Sequence, residues 1–339
     1  MTPQCAPKVV AASPAHFEVP PRIPPRKGMA SLKNFGIMLE PQLGMTMDSF
    51  VQAAKNAERL GFGYVFRSDH LLPTDDRRGI DSPECWTSLG AVAASTRDIM
   101  FGPMVSPIGF HNPAMLAKMA LTVHSYSRGR LLMGIGTGWY EPEYRAHGFD
   151  FPTFGVRFRQ FSEALKIIHT MMREERIDFE GEYYTAHTDC FPRPSGKVHI
   201  IVGGRSARVI KAAATYADEW NFFTHGPDDL APGRAVLDGA RNGRDVEVTE
   251  TGPYMLGRTQ SELEKNAEKV VSEQVMTTSA GEFMGQLRKA GSPCGLVDEF
   301  VEQVGKRFDS GLTRFYFQYL VPNDISQMEL LADALKRGF

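Results

Sequence analysis

From Asn34 onward the chain alternates short apolar runs with amphipathic stretches, eight times over, and nothing else in it constrains the fold as strongly. Apolar runs of strand length need cover on both faces, and intervening helices supply it, so the rhythm specifies a parallel sheet built from βα units. Strand 1 is predicted at 35–39, followed by a helix over 47–60 with Phe50, Ala53, Ala54, Ala57 and Leu60 at helical spacing, closed by Gly61. Strand 2 covers 64–66 and strand 3 covers 99–105. A helix opens at Asn112-Pro113, an N-cap followed by proline at the first helical position, and runs to 126. Strand 4 covers 130–135. A long insertion follows, with a helix over 156–173 and a small hairpin at 179–184. Strand 5 is at 199–202, its helix at 206–216, strand 6 at 219–222 and strand 7 near 253–256. The last clear helix spans 296–308 and strand 8 spans 314–320. An open doubly wound sheet also alternates, but eight buried apolar strands in one series favour closure. The expected fold is a (β/α)8 TIM barrel with an insertion between strands 4 and 5.

The 339 residues suit one such barrel, placed here at 31–339. Residues 1–30 differ: Pro3, Pro7, Pro14, Pro20, Pro21, Pro24 and Pro25 sit among Ala, Lys and Arg, and the segment is expected to be a disordered tail, with Met29 a candidate start. It lacks the apolar stretch of a secretory signal. With 38 basic and 40 acidic side chains, no positive surplus exists to neutralise a nucleic-acid backbone. No apolar run approaches a membrane span. Cys5, Cys85, Cys190 and Cys294 are far apart and show no metal-ligand spacing, which suits reduced thiols in a cytoplasmic protein without a metal site.

Barrels carry their chemistry just past the C-terminal ends of their strands. Asp69 and His70 follow strand 2. As an isolated loop pair they cap and hydrogen-bond; at a strand end the imidazole can serve as acid, base or donor near neutral pH. Ser106 follows strand 3 with a hydroxyl that no local turn demands. Gly136-Thr137-Gly138 after strand 4 lets backbone approach a ligand, though it lacks the third glycine of a dinucleotide fingerprint. After strand 5, Gly203-Gly204-Arg205-Ser206 opens a helix directly. Amides at a helix N-terminus, glycines and a nearby guanidinium make a phosphate nest, against the plainer reading of a tight turn with a capping serine. Glu40 and Glu143 do not pair by sequence.

Taken in order, Phe35 to Pro41, Ala57 to Phe62, Ser68-Asp69-His70, Asn112 to Lys118, Ser127 to Arg130, Gly136 to Trp139, Pro152 to Arg157 and Val202-Gly203-Gly204 resemble the luciferase-like flavin- and F-420-dependent oxidoreductase family. The segments Gly36 to Gln42 and Phe66 to His70 are similar to the branch that uses the deazaflavin coenzyme F-420 (F420). The resemblance implies a homodimeric barrel that holds a tricyclic ring over its mouth. Asp69 would contact the ring pyrimidine and His70 would face the substrate as proton donor or acceptor. Met104-Val105 would form a bulge with a non-prolyl cis peptide under the ring. Ser106, Thr137 and Gly138 would line the ring and its side chain, while Gly203, Gly204, Ser206 and Ala207, with Arg205 beside them, would hold the phosphate. One departure stands out: sugar-phosphate dehydrogenases of the family carry an acid directly after Gly-Thr-Gly, and this chain has Trp139. The implied function is F420-dependent hydride transfer to or from a small organic substrate. The alternatives are an FMN-dependent monooxygenase and a non-catalytic flavin-binding barrel.

Overall fold

The structure is a computed structural model and describes residues 31–339 apart from 76, 195 and 225–229; the expected tail at 1–30 lies outside the described residues. Eight parallel strands make the barrel. They are β1 (Phe35–Leu39), β2 (Tyr64–Arg67), β3 (Met100–Pro103) with its continuation β4 (Ser106–Pro107), β5 (Leu132–Gly136), β8 (His199–Gly203), β9 (Glu219–Phe223), β10 (Glu247–Pro253) and β13 (Arg314–Tyr319). Their neighbours run β3-β2-β1-β13-β10-β9-β8-β5-β4. The ring closes because β3 and β4 are halves of one strand: Phe101 bridges to Leu131 beside β5, and Ser106 and Pro107 pair with Ile135 and Gly136. Between the halves, the Met104–Val105 peptide is cis, as the resemblance implied.

The crossover helices are α1 (Met47–Leu60), α2 (Cys85–Ser95), α3 (Pro113–Tyr126), α5 (Phe154–Met171), α6 (Ala207–Tyr216), α7 (Leu230–Ala240), α10 (Val297–Asp309) and the closing α11 (Ile325–Gly338). A short α4 (Glu141–Ala146) and the antiparallel hairpin β6 (Arg176–Glu180) and β7 (Thr185–Asp189) fill the connection between β5 and β8. Two further helices, α8 (Gln260–Glu273) and α9 (Ala280–Lys289), accompany the small parallel pair β11 (Met255–Gly257) and β12 (Cys294–Leu296) after β10. Local chemistry sets the ends. Gly61 closes α1 at φ 98, and the Asn112 side chain accepts from the amides of Ala114 and Met115 to start α3.

Strand residues alternate between two cores. Phe35, Ile37 and Leu39 face the helices, whereas Met38, Phe66, Met104, Leu132, Ile201 and Tyr316 fill the barrel axis. The axis is apolar on the β1–β5 side and polar elsewhere. At its base, His199 Nε2 and Arg314 each lie 3.0 Å from Glu219 Oε2, while Thr249 Oγ1 (2.6 Å) and the Tyr316 hydroxyl (2.9 Å) donate to Oε1. Burial alone would raise the Glu219 carboxyl; His199 and Arg314 outweigh it and hold it below its usual value. His199, Glu219 and Glu247 gather as metal ligands would, but the Arg314 guanidinium bonds both carboxylates and supplies the positive charge.

Three expectations need correction. Barrel strand 7 is β10 (Glu247–Pro253), not 253–256, which instead begins the β11 pair. Polar Glu247, Thr249 and Thr251 face the axis and Glu250 faces Arg307 of α10, so β10 shows no apolar run. The hairpin strands flank the predicted 179–184, whose centre is the turn from Gly181 to Tyr184. Helix α2 was not foreseen, because small residues and a low apolar contrast blur its periodicity. Arg67 anchors it, donating to Pro83 O at 2.9 Å and Ser88 Oγ at 2.6 Å.

Candidate active site

The C-terminal mouth encloses a cavity of about 540 Å³, inside the usual range for small-molecule sites. Asp69 and His70 from the end of β2, Met104 and Val105 from the bulge, Thr137 and Gly138 past β5, and Gly203, Gly204 and Arg205 past β8 all border it. The structure therefore brings together most of the residues expected at the site.

His70 is oriented by a partner 73 positions away. Its Nδ1 lies 3.0 and 3.1 Å from the two oxygens of Glu143 on α4, and Glu143 Oε2 also accepts the Leu71 amide at 3.0 Å. Nδ1 beside a carboxylate carries the proton, which leaves Nε2 as the available ring nitrogen; among the described residues it has no hydrogen-bond partner. Trp139 and Tyr140 meet the imidazole edge-on at 5.6 and 6.2 Å. Burial pulls the imidazole pKa down, but the hydrogen bond and charge of Glu143, with Glu40 and Asp69 behind, push it above its ordinary value.

Asp69 is 3% exposed, and its Oδ2 accepts from Ser106 Oγ at 2.6 Å. Ser106 in turn accepts from Trp86 Nε1 on α2 at 3.1 Å. Ser106 is fully buried behind Asp69 and does not border the cavity, so its expected contact with a ring is corrected to a hold on Asp69.

The wall between β5 and β8 is backbone. A Cβ on Gly136 would come within 2.6 Å of Val105 Cγ2, one on Gly203 within 3.0 Å of Val105 Cγ1, and one on Gly138 within 1.9 Å of the Tyr144 hydroxyl. Gly138 (φ 74) and Gly204 (φ 142) also occupy backbone space that suits glycine. Val105 and Tyr144 fill the space that side chains at these positions would take, so the glycines meet the cavity as backbone. The backbone at the start of α6 is partly committed. The Gly204 amide is used by Asn221 O at 3.0 Å, and the Ser206 side chain caps α6 through the Val209 amide. The first-turn amides of Ala207 and Arg208 have no carbonyl one turn back, and Arg205 stands at the rim before them.

Sequence reasoning missed two carboxylates at the mouth, Glu40 and Glu143. Glu40, 8% exposed, accepts from Gln318 Nε2 at 2.7 Å and from Gln42 Nε2 at 2.8 Å, while Ser68 Oγ donates to Gln42 Oε1 at 2.5 Å. Glu40 lies one residue past β1, so the strand-end rule itself pointed there. Glu143 carried only the weaker signal of following the Gly-Thr-Gly turn.

A closed parallel barrel with a backbone-walled cavity at its C-terminal mouth defines a (β/α)8 barrel of the ligand-binding kind. The chain belongs to the luciferase-like monooxygenase family, whose model matches residues 27–299. An F420-dependent glucose-6-phosphate dehydrogenase of Intrasporangium calvum is 34% identical over 166 residues, covering 48% of this chain and 49% of that protein. An F420-dependent hydroxymycolic acid dehydrogenase of Mycobacterium tuberculosis is 30% identical over 238 residues, covering 70% of this chain and 62% of that one. The chain thus spans about half to three fifths of the length of these relatives. An F420-dependent secondary alcohol dehydrogenase, solved with an F420-acetone adduct, superposes with a TM-score of 0.74 at 18% identity, covering 90% of this chain and 98% of that one. That last likeness is one of fold. No helix among the described residues is long and apolar enough to cross a membrane.

Proposed function

We propose that this chain is an oxidoreductase that binds coenzyme F420 at the barrel mouth and transfers a hydride to or from a small organic substrate. The observation that carries the reading is His70, with Nδ1 committed to Glu143 and Nε2 available beside a cavity walled by glycine backbone. The F420-dependent names of the relatives favour the deazaflavin over FMN, whose use in a monooxygenase is the second reading, supported by the family description.

The residues fit such a ligand. Gly136, Gly138 and Gly203 border the cavity as backbone where a ring would lie, with Met104, Val105 and Thr137 beside them. Asp69, held by Ser106, offers a fixed carboxylate to ring N–H groups. Gly204, Arg205, Ser206 and Ala207 place a guanidinium and a helix N-terminus for a phosphate. The bound deazaflavin supplies the hydride chemistry. His70 Nε2 holds the proton that the substrate oxygen gains as a carbonyl is reduced, or receives it as a hydroxyl is oxidised, and Glu143 keeps the ring aimed and its cationic form accessible. The homodimer and the cytoplasmic setting belong to the same reading through the family resemblance; light scattering checks the first.

Side-by-side titration with F420 and FMN tests the proposal. Saturable F420 binding at least tenfold tighter than FMN is expected, and tighter FMN binding would hand the site to the monooxygenase reading.

A further inference from the structure

The polar side of the barrel axis continues from the base up to the mouth. Asn221 on β9 and Thr251 on β10 are buried and border the cavity. A short chain of hydrogen bonds ties them to Glu219. Thr249 Oγ1 donates to Glu219 Oε1 at 2.6 Å, and Asn221 Nδ2 donates to Thr249 Oγ1 at 2.9 Å. Glu219, a carboxylate beside His199 and Arg314, takes the one hydrogen that the Thr249 hydroxyl has. The Thr249 oxygen can then only accept, so it must face the NH2 end of the Asn221 amide. An asparagine usually leaves open which end is which; here the carboxylate two bonds away decides it. Thr251 Oγ1 lies 3.0 Å from Nδ2 and 3.2 Å from Oδ1 of the same amide, so it takes at most one of the two lone pairs on Oδ1. Among the described residues no other donor reaches that oxygen. Hydrogen bonds in series polarise one another, and a chain that ends on a carboxylate makes Oδ1 a stronger acceptor.

The place of this oxygen selects what it meets. Asn221 is level with Gly203 on β8, and its backbone carbonyl accepts from the Gly204 amide. One step further along β8 come Arg205 and the first turn of α6, the end proposed for a phosphate. Asp69, Met104 and Val105, proposed for the ring, border the cavity from β2 and the bulge. A ligand that joins these two ends crosses the edge between β8 and β9. We propose that Asn221 binds the hydroxylated chain linking ring to phosphate in a flavin or deazaflavin coenzyme, its Oδ1 accepting from one chain hydroxyl, with Thr249 and Glu219 as positioning residues. This rests on the cofactor site proposed above and deepens it. A neutral amide oxygen suits a neutral hydroxyl, and the ligand fills the lone pair that the protein leaves unmet.

Fluorescence titration without substrate tests this with ligands that share a ring and differ in the chain. One pair is 8-hydroxy-5-deazariboflavin and its 10-methyl analogue; the other is riboflavin and lumiflavin. In at least one pair the wild type should bind the hydroxylated member about tenfold tighter or more. Asn221→Leu should cut that advantage about five- to tenfold, the scale of one neutral hydrogen bond. It should leave the methyl member within about twofold of wild type, which a general loss of packing would not do. Thr249→Val frees the amide to turn and should cut the advantage about threefold, on the same scale, while Thr249→Ser, which keeps the hydroxyl, should retain it. If Asn221→Leu does not fold, the two Thr249 variants carry the decision. An advantage that survives intact in Asn221→Leu or Thr249→Val, a Thr249→Ser as weak as Thr249→Val, an equal loss for both members of a pair, or no advantage in either wild-type pair would each overturn the assignment. Binding of the flavin pair alone would instead remove the deazaflavin reading, and the riboflavin–lumiflavin comparison would still decide Asn221.

Discussion

Among the described residues, a histidine–glutamate pair lies near each end of the barrel, His199–Glu219 buried at the base and His70–Glu143 partly exposed at the mouth, and their surroundings set them apart. At the base, Glu219 accepts from His199, Arg314, Thr249 and Tyr316, so both of its oxygens are saturated by the protein itself. At the mouth, Glu143 holds one nitrogen of His70, and the other stands beside a cavity of about 540 Å³. Equal pairing geometry, 3.0 Å in both, therefore does not distinguish scaffold from chemistry. What distinguishes them is spare hydrogen-bonding capacity next to open space.

The sharpest way to break this comparison is to remove each histidine. His70→Asn should lower turnover by ~10²–10⁴-fold, the usual worth of a general acid or base, with F420 affinity held. His199→Asn should leave turnover within about threefold and reduce stability instead, by ~1–3 kcal/mol for a buried hydrogen bond left unmade. Equal kinetic losses from the two variants would dissolve the distinction.

Removing the carboxylates comes next. Glu219→Gln leaves Arg314 with less compensating charge in a buried site and should cost ~3–5 kcal/mol of stability, read from the denaturant midpoint. Glu143→Gln should act on pH dependence. The folded pKa of His70 is raised, so the charged pair adds stability below the ordinary imidazole pKa and loses it as pH rises through the folded value. The wild-type rate limb should therefore lie above the ordinary imidazole value. Without the Glu143 charge, desolvation dominates and the limb should fall below it. A limb that does not move would assign the titration elsewhere.

The smallest effect concerns the rim. Arg205→Ala should weaken F420 binding by ~1–3 kcal/mol, a lost charge-assisted bond, and should leave the His70 rate limb in place. A shifted limb would mean that rim and mouth are coupled more tightly than the geometry indicates.

The strands and helices with local signals were legible in advance. The 47–60 helix had its apolar spacing and Gly61, and α3 had Asn112-Pro113 at its start. Strand β10 was hidden because its axis-facing positions are Glu247, Thr249 and Thr251, polar residues whose partners lie across the ring on β8, β9 and β13. Asp69, His70 and the glycine walls were readable from strand-end position. The partners that give them meaning were not: Glu143 is 73 residues from His70 and Gln318 is 278 from Glu40, separations that only ring closure brings to contact. Ser106 drew notice for its place and was misread in role, because whether a strand-end hydroxyl faces the cavity or the aspartate behind it depends on the bulge.

Val105 carries a consequence for how this sequence can drift. Its two methyl groups lie where side chains on Gly136 and Gly203 would have to go, at 2.6 and 3.0 Å. Positions 105, 136 and 203 therefore form one inheritance unit spread over three strands. An alanine at 136 must displace the Val105 methyl, whereas beside a glycine at 105 it meets only ordinary contact, so the order of substitutions, not their sum, decides which lineages can cross.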